Sequence, residues 1–150
     1  SGKIYLQLGR RLEGSQCEVY SAPFDVRIPR KSINDKEIIT VLQPDVCVIC
    51  DATKLDKRGC IGAPDIVVEI LSPGNNAKEM KNKYEVYEEA GVKEYWVVSP
   101  QDQWMQIHTL TGNKFVASPY LVAGDIAVSS VLDGFSLDLT ELFKGIEPEE

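Results

Sequence analysis

The chain has 150 residues, 43% hydrophobic and 26% charged, with 11 glycines and 8 prolines, the composition of an ordinary soluble globular protein of one domain. Its longest apolar run is a few residues, far short of the ~20 that cross a bilayer, and no charged-then-apolar leader opens it, so neither membrane insertion nor a secretion signal is expected. With 23 acidic against 16 basic side chains the formal charge is −7, which argues against a broad cationic surface gripping duplex DNA through its phosphates alone.

The start, Ser1-Gly2-Lys3, lacks a methionine and reads as a cloning scar or the beginning of a fragment, with the N-terminal segment truncated. Ile4, Tyr5, Leu8 and Leu12 follow helical spacing. Cys17 to Ile28 alternates as one strand, or two broken at Pro23. Residues 30–37 are a charged loop. Ile38 to Asp51 and Pro64 to Leu71 are two apolar strand segments, joined by a solvated connection over Ala52 to Gly62. Ser72-Pro73-Gly74-Asn75-Asn76 is a turn-and-cap signal for a helix running to Ala90 and stopped by Gly91. Glu94 to Val98, Met105 to Leu110 and Phe115 to Val122 read as strands of a hairpin meander, and Gly145 to Glu150 as a loose acidic tail. Strands, one marked helix, then strands predict a mixed α/β (α+β) fold over residues 1–150.

Four cysteines, Cys17, Cys47, Cys50 and Cys60, raise a zinc, redox or disulfide reading, with Cys47-Val48-Ile49-Cys50 at CxxC spacing. Strand alternation sends residues three apart to opposite faces, where two thiolates cannot share a metal. The expectation is four free cysteines filling the core in a reducing, cytoplasmic setting.

The segment Pro64 to Leu71 is apolar on both faces, as in the middle of a covered sheet, and Glu69 breaks that pattern. An ionised carboxylate buried alone costs several kcal/mol, so Glu69 needs a cation or an opening to solvent. An antiparallel hairpin centred on Lys57 gives position sums of 114 and sets Asp45 opposite Glu69, on one face with Cβ atoms ~5 Å apart. Two such acids repel, and a hard cation such as magnesium resolves the repulsion. Asp65 shares the face but lies about 13 Å along the strand, too far for one ion; it is expected to begin the strand or bind backbone. Ala77, Met80, Tyr84, Tyr87 and Ala90 form an apolar helical stripe, and Lys83 points into it, either as a snorkelling stem or as the cation that buried carboxylates require. Glu79, one turn earlier, is placed to orient its ammonium.

Taken together, Gln43-Pro44-Asp45, Gly62 through Pro73 (GAPDIVVEILSP), Lys83 with Tyr87, and Gly91 through Val98 (GVKEYWVV) resemble the Uma-two family of restriction endonucleases over roughly Val19 to Phe143. The resemblance implies a restriction-endonuclease-like core of the PD-(D/E)XK nuclease superfamily, a mixed β-sheet flanked by helices, and hydrolysis of DNA phosphodiester bonds. It implies Asp45, Glu69 and Lys83 as catalytic residues, with Asp45 and Glu69 as ligands of Mg2+ or Mn2+. The ion would acidify a water and neutralise phosphoryl charge, and Lys83 would orient that water and stabilise the transition state. A backbone carbonyl near Ile70 would complete the metal shell. Leu71 stands where the superfamily commonly has its lysine, and Lys83 takes that role from the helix. The resemblance also implies a homodimer.

The alternative is a catalytically inactive nuclease-fold module for nucleic-acid binding or dimerisation. The local basic groups, Arg10, Arg11, Lys54, Lys57, Arg58, Lys78 and Lys81, read better as solvated faces than as a DNA grip. The sole histidine, His108, has no recognisable triad partner and reads as core or surface.

Overall fold

Strands of three to eight residues build three sheets in the computed structural model, which describes residues 2–29 and 39–146. The loop expected over 30–37 and the last four residues of the tail lie outside the described residues. Helix α1 (Gly2–Leu12) buries Ile4, Leu8 and Leu12 and leaves Tyr5 exposed. The stretch from Cys17 to Ile28 forms two strands, β1 (Glu18–Ser21) and β2 (Asp25–Pro29), on either side of a cis Ala22–Pro23 bond. The segment Ile38 to Asp51 is likewise two strands, β3 (Ile39–Leu42) and β4 (Val46–Ile49), divided at Gln43-Pro44-Asp45, where proline has no amide to continue a ladder.

The expected solvated connection contains a 3-10 turn at Ala52–Lys54 and a short strand, β5 (Gly59–Ile61). Strand β5 pairs in parallel with β2, Gly59 against Asp25. Only glycine fits at that contact, because a Cβ there would collide with the Asp25 carbonyl. Then follow β6 (Ile66–Ile70), α2 (Ala77–Ala90), β7 (Glu94–Ser99), β8 (Trp104–Thr111) and β9 (Lys114–Ala117). After these come β10 (Ile126–Val128), β11 (Ser136–Asp138) and α3 (Leu139–Phe143), which carry the chain back over the sheet.

The main sheet has the order β1-β4-β6-β7-β8-β9. Only β6 and β7 run parallel, linked by α2; every other neighbouring pair is antiparallel. The result is the expected mixed sheet flanked by helices. One face packs Val46, Val48, Ile66, Val68, Trp96 and Val98 against α1, β11 and α3. The other packs Cys47, Ile49, Val67, Tyr95 and Val97 against α2 and the small β3-β2-β5 sheet. Strand β6 is buried on both faces through Glu69, so alternation along it decides which layer each side chain meets.

Cys17 and Cys50 are joined in a disulfide, and only Cys47 and Cys60 are free and buried, which corrects the expectation of four free thiols. The register explains it. Glu18 pairs with Ile49 in the β1–β4 ladder, so one step further sets Cys17 across from Cys50, with Cα atoms 3.9 Å apart. Cys47 and Cys50 pack on opposite faces of the sheet, as strand alternation requires.

Candidate active site

Strands β4 and β6 pair antiparallel as Val46 with Val68, Cys47 with Val67 and Val48 with Ile66, the register of sums 114. One residue further, Asp45 stands across from Glu69. Asp45 is half-buried, and its Oδ2 accepts a hydrogen bond of 2.7 Å from the Ile70 amide, which ties it to the end of β6. Glu69 is 3% exposed on the α2 side of the sheet. Asn76 caps α2 by accepting from the Lys78 and Glu79 amides, and Gly91 ends it in the left-handed conformation. Those two stops set the phase of the helix, and Lys83 Nζ comes 2.6 Å from Glu69 Oε2. The three predicted side chains therefore lie on one face, under one helix.

Burial drives the Glu69 carboxyl above the usual carboxylate range. The Lys83 hydrogen bond and charge pull the other way without winning, and the Asp45 charge adds to the upward shift. The Tyr87 phenol also acts on Glu69, yet Tyr87 Oη and Glu69 Oε1 are both buried without a hydrogen bond of normal geometry. Tyr87 is fully buried one helical turn beyond Lys83, and burial, then the Glu69 charge, push its phenol well above the ordinary range. Its place on the apolar stripe gave a core reading; the i, i+4 relation to Lys83 was the available signal that it also meets the carboxylate.

The other candidates separate cleanly. Asp65 binds backbone, as expected: Oδ1 accepts from the Cys50 amide at 2.8 Å and Oδ2 lies 3.0 Å from Lys93 Nζ. Glu79 is exposed in the first turn of α2, and the Lys83 ammonium is held by Glu69 instead. His108 is buried among Tyr84, Tyr95 and Phe115, and desolvation lowers its pKa. Arg10 and Arg11 are on α1, across the sheet from Lys78 and Lys81 on α2, while Lys57 and Arg58 precede β5. These cations do not form one patch. A buried acid that sequence reasoning passed over, Glu94, lies on the opposite face and is saturated by Trp96 Nε1, Ser129 Oγ and the Ser130 amide and hydroxyl. An acid opening an apolar strand was the signal, and its role is to pin the segment after β10 to the sheet.

The donor set suits a hard divalent cation. Glu69 Oε1 is buried with no hydrogen-bond partner, Asp45 Oδ1 has none among the described residues, and both are carboxylate oxygens. No group of three or more His, Cys, Asp or Glu converges among the described residues. A cation here would take two side-chain ligands and complete its shell from backbone, water and substrate oxygens, the habit of magnesium.

A mixed sheet flanked by helices, with one parallel pair joined by the crossing helix α2, has the fold of a restriction-endonuclease-like α/β protein. The chain belongs to the Uma2 family, described as "Putative restriction endonuclease", whose model matches residues 1–140. Among solved structures it is similar to a "putative nuclease belonging to DUF820" from Anabaena variabilis ATCC 29413. The TM-score is 0.71 at 15% identity, covering 95% of this chain and 76% of that one, a likeness of fold. No curated protein matches the chain. None of its described helices is long and apolar enough to cross a membrane.

Proposed function

We propose that this chain is a DNA endonuclease, a hydrolase of phosphodiester bonds that works with Mg2+ or Mn2+ and has Asp45, Glu69 and Lys83 as its catalytic residues. The observation that carries the reading is the approach of two acids and one lysine, from the residue preceding β4, from β6 and from α2, on one covered face. Asp45 and Glu69 would hold the cation through carboxylate oxygens. When bound, the cation supplies Lewis-acid polarisation of a phosphoryl oxygen and lowers the pKa of water. Asp45 is positioned for its part by the Ile70 amide. Glu69 is shielded from bulk water, in a medium where each interaction is strengthened. Lys83 orients the attacking water and stabilises the negative charge that builds on the phosphoryl oxygens. The attacking water gives up a proton to solvent as its oxygen bonds to phosphorus, the bond to the leaving oxygen breaks, and that oxygen takes up a proton from solvent. With basic groups dispersed, binding of DNA would rest on contacts at the site itself.

The test is cleavage of plasmid and linear DNA by the full chain with magnesium or manganese, against Glu69→Gln. We expect metal-dependent cutting by the native chain and none by the variant. A native chain that neither cuts nor binds Mn2+ would favour a scaffold that keeps the fold as a binding or dimerisation module.

A further inference from the structure

Glu69 divides its two oxygens between unequal partners. Oε2 is held by Lys83, whose side chain is 26% exposed and stands on a flexible four-carbon stem. Oε1 is buried with no partner, and so is the Tyr87 hydroxyl. The first is an acceptor without a donor and the second a donor without an acceptor. Leaving both unpaired is unfavourable, while pairing them satisfies both. The Tyr87 ring is fixed by packing against Tyr95, with ring centroids 5.1 Å apart, and by burial in the α2 interface. Its hydroxyl is therefore preset, and little side-chain freedom is lost in using it.

We propose that Tyr87 is a positioning residue of this site: its hydroxyl donates to Glu69 Oε1 and fixes the rotation of the carboxylate, so that the acid stays aimed when Lys83 turns to the phosphate. The assignment rests on the nuclease reading of Asp45, Glu69 and Lys83. A donor fixed behind a ligating carboxylate orients it and tunes its affinity, and losing such a donor commonly weakens metal binding about 10-fold or more. The hydroxyl touches neither substrate nor leaving group, so its effect falls on the metal constant and not on recognition of DNA.

Isothermal titration of Mn2+ into the full chain without DNA tests this. Tyr87→Phe should weaken Mn2+ binding about 10-fold and raise by a similar factor the Mn2+ needed for half-maximal cleavage, with KM for DNA unchanged. Tyr95→Phe, which removes another unpaired buried hydroxyl from the same face, should leave the metal constant within about 2-fold of the native value; an equal loss there would reduce Tyr87 to a packing role and overturn the assignment. Native-like Mn2+ binding by Tyr87→Phe, with binding lost in Glu69→Gln, overturns the role of Tyr87 and leaves the nuclease reading standing. No Mn2+ binding by the native chain overturns both. Should Tyr87→Phe fail to fold, the hydroxyl proton of Tyr87 in the NMR spectrum of the native chain decides: it should shift on addition of Mg2+, and a proton indifferent to Mg2+ overturns the assignment.

Discussion

Lys83 Nζ stands 2.6 Å from Glu69 Oε2, joining α2 to the penultimate residue of a strand buried on both sides. Removing the lysine leaves a carboxylate without its cation in a place that water does not reach. In chelator at neutral pH, Lys83→Ala should lose about 3 kcal/mol of stability, the low end for breaking a buried pair because the lysine is partly exposed. Adding Glu69→Gln should restore most of it. Urea denaturation of the two single variants and the double variant measures the coupling, and simple additivity would contradict the pairing.

Asp45 makes a different prediction, because its structural bond survives a change of charge. In Asp45→Asn the side-chain oxygen can still accept from the Ile70 amide, so stability should fall by less than about 1 kcal/mol. Loss of the anionic ligand should weaken Mn2+ binding more than 10-fold and stop cleavage. Titration calorimetry beside thermal unfolding separates the two effects; a large stability loss with intact metal binding would assign Asp45 to the scaffold.

The disulfide closes a sequence separation of 33 residues. Chain-entropy arguments give such a link about 3–4 kcal/mol, so Cys17→Ser should lower the denaturation midpoint markedly. Unfolded without reductant, the chain should show two reactive thiols, from Cys47 and Cys60, and after reduction all four. Four thiols before reduction would return Cys17 and Cys50 to the free state.

His108 supplies a pH dependence away from the acids. Desolvation lowers its pKa below the ordinary 6.5, so between the folded value and 6.5 the unfolded chain binds more protons. The stability it contributes is present above the unfolded pKa and lost as pH falls through the folded one. Across that window His108→Phe should be less pH-sensitive than the native chain. Parallel slopes from denaturation at several pH values would show that His108 is not held neutral.

Local chemistry made much of the chain legible. Asn76 and Gly91 marked both ends of α2, and the two-sided apolar run over 66–70 with one acid inside it announced a covered strand with a charged exception. The sum of 114 placed Asp45 across from Glu69 because side-chain period 2 makes antiparallel register simple arithmetic. The partners of short, less patterned segments were hidden. Sequence reasoning took Ala52 to Gly62 as a solvated loop, although Gly59–Ile61 joins a strand from a distant part of the chain. It assigned no element from 123 to 144, where three-residue strands and a five-residue helix are held by packing of Leu137, Leu139, Phe143 and their neighbours on the sheet and by the bonds from Ser129 and Ser130 to Glu94.

Composition and pattern by themselves pointed to the mixed α/β class, the covered strand, the capped helix and the register that sets Asp45 across from Glu69. Tertiary structure alone decided that Cys17 and Cys50 bond, that Glu94 is saturated on the far face while Glu69 keeps one oxygen unpaired, and that the Tyr87 hydroxyl is buried without a partner as well. Periodicity reports which way a side chain faces within its own element, but a hydrogen bond or disulfide depends on distances between elements, which exist only once the layers have packed.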